Sequence, residues 1–215
     1  MIKYFNKIGN NSKKASIKFV SKKKKNKVLF DFANLVALNK EKIINQNKKD
    51  QKYAIKKGLR SNMLQRLILN NERLLQIENS IHKIAKLKDP VDRILSKWKR
   101  PNGLRIKKVT IPIGVIGIIY ESRPNVTAEV SSLCFKSGNA VILKGGSEAL
   151  YSNKILVGLF KKALKKNNVD PNYVQLIENK NRRSVVYMLT KMRKFIDVII
   201  PRGGKNLVKE VQKKS

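Results

Sequence analysis

The chain has 215 residues, with 49 Lys+Arg against 14 Asp+Glu and a formal charge of +35. A single cysteine, Cys134, and a single histidine, His82, exclude a disulfide framework and a Cys/His zinc site, so no metal is expected. The longest apolar stretch, Val109 to Tyr120, is broken by Thr110, Pro112 and two glycines. It falls short of the roughly 18–20 residues that cross a bilayer, and no apolar segment follows the basic N-terminus as in a secretory signal. A cytoplasmic protein with no membrane partner is expected.

Residues 1–100 read as a helical, polar region. Val28, Phe32, Leu35 and Leu38 fall at helical spacing, as do Met63, Leu64 and Leu67, and then Leu74, Ile77, Ile81 and Ile84. Lys88-Asp89-Pro90 should end the last of these helices, because the residue before proline is pushed out of helical backbone. Pro101-Asn102-Gly103 is a turn signal and sets the expected boundary between residues 1–100 and 101–215.

Beyond it the pattern changes. Leu104 to Ile111 alternates weakly, as an exposed ribbon would. Gly114–Tyr120 and Ala140–Leu143 are short apolar runs rich in β-branched residues, and Tyr173–Ile177 and Ile196–Ile200 are further strands. Between them lie helices marked by Val126, Val130, Leu133 and Cys134, by Leu150–Leu164 and by Ser184–Arg193, with a last helix over Lys205–Lys213. Strands buried on both faces and alternating with helices indicate a doubly wound, mostly parallel α/β sheet preceded by N-terminal helices.

The charge does not mark a nucleic-acid face. Residues 1–100 carry +20 and residues 101–215 carry +15, so the excess runs through both halves. Of the 49 basic residues 38 are lysine, whereas base readout leans on arginine's fork. Lys, Ile and Asn, all with A/T-rich codons, make up 83 residues. Compositional drift on tolerant surfaces accounts for this, and Lys22–Lys25 read as a solvated turn. A polybasic protein binding nucleic acid or an anionic surface stands as an alternative.

Ligands of open parallel sheets bind beyond the carboxyl ends of the strands, where helix N-termini present free N–H groups. Three such corners stand out: Tyr120-Glu121-Ser122-Arg123-Pro124-Asn125, Lys144-Gly145-Gly146-Ser147-Glu148 and Pro201-Arg202-Gly203-Gly204-Lys205. Glycine pairs beside basic residues suit a phosphate-containing ligand, although none of the three is a G-x-G-x-x-G or a P-loop.

The runs Ile111–Thr127 (IPIGVIGIIYESRPNVT), Leu133–Gly146 (LCFKSGNAVILKGG) and Ile199–Gly204 (IIPRGG) closely resemble the γ-glutamyl phosphate reductase family of the aldehyde dehydrogenase superfamily. Gly58-Leu59, Met63-Leu64-Gln65-Arg66-Leu67 and Asp89-Pro90-Val91 are weaker echoes. The resemblance implies a Rossmann-like cofactor-binding domain and reduction of L-glutamyl 5-phosphate by NADPH to glutamate 5-semialdehyde and phosphate, in proline biosynthesis. It also implies a cysteine nucleophile and, in the family, a homo-oligomer.

Residue by residue, Asn125 matches the superfamily's oxyanion-binding asparagine, with N-capping of a helix starting at Val126 as its ordinary alternative. Lys144 matches the lysine on the adenosine ribose or its 2′-phosphate, within a cofactor corner of Gly145, Gly146, Ser147 and Glu148. Ser147 stands where NAD-preferring relatives place a glutamate, which favours NADP, although Glu148 is one residue away. Gly203 and Gly204 would open the helix facing the pyrophosphate. Arg123 could hold the substrate's carboxylate or phosphate, or pair with Glu121. Cys134 reads as a small buried hydrophobe and His82 as a surface residue.

Gln65 and Asp92 depart from the family's usual Asp and Gly. By the resemblance, the nucleophilic cysteine and the rest of the catalytic layer would follow Ser215, so the catalytic domain is absent from these residues. A truncated chain, inactive alone, is the leading expectation, and half of a split enzyme, completed by a second polypeptide, is the next.

Overall fold

Apolar residues recurring at helical spacing assemble the first third of the chain. In the computed structural model, which describes residues 2–181 and 183–214, this part forms α1 (Ile2–Ser16), α2 (Lys22–Leu38), α3 (Lys40–Lys56), α4 (Ser61–Leu67) and α5 (Asn71–Lys86). Val28, Leu29, Phe32, Ala33 and Val36 bury one face of α2 completely. Leu38, expected on that face, is 81% exposed, because it is the last helical residue. The Ser21 and Asn70 side chains cap α2 and α5 by accepting from Lys24 N and Arg73 N.

The Lys22–Lys25 run is the first turn of α2 and not a solvated turn. Lys25 is 3% exposed and its Nζ lies 2.6 Å from Asp89 Oδ2. Positive charge at a helix N-terminus opposes the macrodipole, and Asp89 offsets that cost.

The Pro101–Gly103 turn is the tip of a hairpin. β1 (Ile94–Lys99) pairs antiparallel with β2 (Arg105–Val109), and Gly103 takes φ +85° there. The ribbon over residues 104–111 was legible, whereas β1 was read into the helical region. Every residue of β1 is exposed, so no buried face imposes a period on it.

The second half is β3 (Val115–Tyr120), α6 (Pro124–Lys136), β4 (Ala140–Lys144), α7 (Leu150–Lys166), β5 (Val174–Leu176), α8 (Arg183–Lys191), β6 (Val198–Arg202) and α9 (Lys205–Lys214). The strands form one parallel sheet in the order β5-β4-β3-β6. Chain order runs outward from β3 through β4 to β5 and then returns to β6 on the other side. The switch point, where a ligand crevice opens in such sheets, therefore lies between β3 and β6. Every residue of β3, β4 and β5 is buried, while β6 alternates between exposed and half-buried.

Helices and sheet share one core. Phe160 of α7 packs against Phe32 of α2 at 4.5 Å and edge-on against Phe135 of α6 at 5.8 Å. Polar ties add to this packing. Asp50 of α3 caps α7 by accepting from Tyr151 N (3.0 Å) and Ser152 N (2.7 Å). Asn47 bonds Leu67 O, Leu69 N and Ser152 Oγ. These bonds fix α4 and the start of α5 against the sheet's carboxyl-end corner.

Candidate functional site

The β4–α7 corner is built around a buried cation. Lys144, the last residue of β4, is 6% exposed, and its Nζ donates to Gly145 O at 2.8 Å. No carboxylate lies within ion-pair distance of it among the described residues. An ammonium has three donors, so Lys144 holds two in reserve. Burial lowers its pKa, and the charge of nearby Glu148 partly counters that.

Ser147–Ala149 form one 3-10 turn before α7. The Glu148 carboxylate accepts from Ser147 Oγ (2.8 Å) and Ser122 Oγ (3.1 Å). Burial would raise its pKa, but hydrogen bonds and the charge of Lys57 outweigh that and hold it below the usual carboxylate range. A Cβ on Gly146 would stand 2.8 Å from Glu148 Oε2 and 2.9 Å from Ser122 Oγ, so a side chain there would break this clasp. Lys180 reaches over the same crevice, its Nζ 4.3 Å from the Tyr53 ring centre and 5.4 Å from that of Tyr151.

The β6–α9 corner is closed by a side chain from the neighbouring strand. Glu121 Oε1 accepts from Gly204 N at 2.9 Å. A Cβ on Gly203 would lie 2.8 Å from the Glu121 carboxyl carbon. Glu121 thus caps α9 and makes no salt bridge with Arg123, contrary to one expectation for that pair. Ser122 touches the β4 corner and Glu121 the β6 corner, so the end of β3 joins the two glycine pairs.

Helix α6 starts earlier than expected, at Pro124, with Arg123 as an extended N-cap residue that makes no side-chain cap. Asn125 therefore lies in the first turn and is not the N-cap. Its Nδ2 makes one long contact, 3.5 Å, to Glu129 Oε1. Asn125 and Arg123 face a second crevice, walled by Arg66 and Arg73 from the α4–α5 segment and by Glu129. The sequence assigns neither Arg66 nor Arg73 a site role: Arg66 enters only as part of the Met63–Leu67 echo, and Arg73 not at all. A basic residue on each side of the α4–α5 break was the available signal.

Cys134 lies inside α6, 6% exposed, with its thiol pushed up to about 12 by burial. His82 is half-buried, its ring 5.5 Å from that of Phe30. Among the described residues no cluster of three His, Cys, Asp or Glu could hold a metal ion. No helix among them is long and apolar enough to cross a membrane.

No family model matches the chain. Individual relatives do. The γ-glutamyl phosphate reductase of Nautilia profundicola is 47% identical over 191 residues, which are 89% of this chain and 46% of that protein. The enzyme of the same name from Geobacillus sp. (strain WCH70) is 41% identical over 91% of this chain and 47% of its own length.

Among solved structures, γ-glutamyl phosphate reductase from Thermotoga maritima superposes with TM-score 0.94 at 36% identity, over 98% of this chain and 51% of the other. The Saccharomyces cerevisiae protein of that name gives 0.90 at 30% identity, over 98% and 54%. A probable aldehyde dehydrogenase from Listeria monocytogenes, 14% identical over all of this chain and 44% of the other, gives 0.73 and shares the fold alone. The chain is a homologue of the γ-glutamyl phosphate reductases, with an aldehyde dehydrogenase-like fold, and it spans about half the length of the curated relatives it matches.

Proposed function

We propose that residues 101–215 form the nicotinamide-dinucleotide-binding layer of a γ-glutamyl phosphate reductase, and that the dinucleotide is NADP. The complete enzyme would reduce L-glutamyl 5-phosphate to glutamate 5-semialdehyde and phosphate in the cytoplasm. Lys144 carries the reading: a buried ammonium with two spare donors beside Ser147, one strand from the switch point. That donor set suits the chemistry of a ribose and a 2′-phosphate, and Lys180 adds positive charge there; the crevice is closed in this structure, so side chains lining it must move to admit the ribose.

The pyrophosphate end fits only on one condition. The N–H of Gly204 is already taken by Glu121, so a diphosphate approaching Gly203-Gly204 must displace that carboxylate. The bound cofactor supplies the hydride that reduces the acyl group. The chain's own contribution to the reaction centre is Asn125, whose amide makes only one long internal contact and can donate to the oxygen that gains charge at an attacked acyl carbon. Cys134 is too buried and too weakly acidic to serve as nucleophile. That group would come from the other half of the enzyme, on the same chain or on a second polypeptide.

Titration of the chain with NADPH, read by cofactor fluorescence, tests this. Saturable binding is expected, weaker for NADH. Lys144→Met should weaken NADPH by about 10–100-fold, the worth of hydrogen bonds to a charged group. Glu121→Gln should strengthen it, since a neutral amide does not repel the diphosphate. No saturable binding, or a Lys144→Met variant that binds as well, would overturn the proposal.

A further inference from the structure

The crevice that holds Asn125 is separate from the one at Lys144. It measures about 280 Å³ and lies between the α4–α5 segment and the first turns of α6. Three guanidinium groups, Arg66, Arg73 and Arg123, line it against a single carboxylate, Glu129. In a chain whose basic charge is mostly lysine, this convergence of arginines is local and not compositional.

The three are not equivalent. Arg73 Nη1 donates to Gln65 O and to Ile68 O at 2.6 Å, which fixes it as part of the wall. Arg66 and Arg123 make no ion pair among the described residues. Both also line the adjoining pocket that contains Glu121 and Ser122. Two planar forks, each with five donors and no acidic partner, are suited to a tetrahedral or planar oxyanion.

We infer that Arg66 and Arg123 form the subsite for the phosphoryl group of the acyl phosphate, and hence for the phosphate product. The inference rests on the proposed reductase reading and names the end of the substrate this crevice takes. In an acyl phosphate the phosphoryl oxygen is bonded to the carbon that carries the carbonyl oxygen. A site that places the carbonyl oxygen on the Asn125 amide therefore places the phosphoryl group in the same crevice, which Arg123 and Arg66 line. Three carbons separate the α-carboxylate carbon from the acyl carbon. Glu129, one helical turn along α6, lies 3.5 Å from the Asn125 amide and is the one carboxylate of the crevice, so an anion finds its partners at the arginines.

The test is titration of the 215-residue chain with inorganic phosphate, read by NMR at the arginine Nε–Hε and asparagine Nδ2 resonances, with L-glutamate as the second arm. Millimolar phosphate is expected to shift Arg66, Arg123 and Asn125 along one saturable curve. Arg66→Gln and Arg123→Gln, each checked by an unchanged amide spectrum elsewhere, should weaken it by about tenfold or more. Lys107→Gln, on the exposed hairpin, should leave it unchanged. Shifts spread evenly over the basic surface, or none at these residues, would overturn the inference. Shifts with glutamate but not phosphate would do so too, by assigning the crevice to the carboxylate. Cofactor binding at Lys144 is read separately. NADPH binding without phosphate binding sinks this inference alone, and phosphate binding without NADPH binding keeps the subsite while sinking the reductase reading.

Discussion

Incubated with L-glutamyl 5-phosphate and NADPH, these 215 residues alone are expected to oxidise no NADPH above background. Thioester chemistry needs a thiolate at the carbonyl carbon, and the one thiol here is Cys134. It is buried in α6, while the corners that would hold cofactor and substrate lie at the carboxyl ends of the strands. Burial pushes its pKa up to about 12, so the thiolate is scarce at neutral pH, before any steric barrier is counted. Iodoacetamide should accordingly leave native Cys134 unmodified over a time that alkylates the unfolded chain completely. Turnover that Cys134→Ser abolishes would contradict the assignment of Cys134 to the core.

Phe160→Ala is expected to be among the most costly single truncations of the core. Phe160 is 1% exposed and joins α7 to both α2 and α6, and burying an alanine there instead costs about 3–5 kcal/mol. In a chain of this size that lowers the thermal midpoint by roughly 6–20 °C. Phe32→Ala, on the other side of the same contact, should lower the same transition by a similar amount. Scanning calorimetry of the two variants checks this. One shared transition is the expected result, since the N-terminal helices and the sheet bury one cluster. Two transitions, with Phe32→Ala moving only one, would contradict this and show that the helical region over residues 1–100 unfolds by itself.

The sheet was legible because β3 and β4 are buried on both faces, so their sequences reduce to short apolar runs bounded by glycine. The corners after them were legible for a related reason, as glycine pairs and basic residues stand out against such runs. What could not be read depends on partners distant in sequence. Glu121 meets Gly204 across 83 residues, and nothing local distinguishes it from a surface glutamate. Lys25 is buried because Asp89 is brought to it, although its neighbours in the lysine run face solvent. Arg66 and Arg73 reach the Asn125 crevice through the fold of the α4–α5 segment, which Asn47 and Asp50 anchor, and the Met63–Leu67 echo that contains Arg66 says nothing of that placement. β1 carries no buried face at all, and a strand without one leaves no period in its sequence.

Backbone amide shifts of the chain on addition of NADPH bear most directly on the account. The predicted map is confined to the ends of three strands: Ser122, Gly145 to Glu148, and Gly203 with Gly204, the last pair moving as Glu121 is displaced. Shifts that fall on the hairpin or on the lysines of α2 while these corners stay still would contradict it.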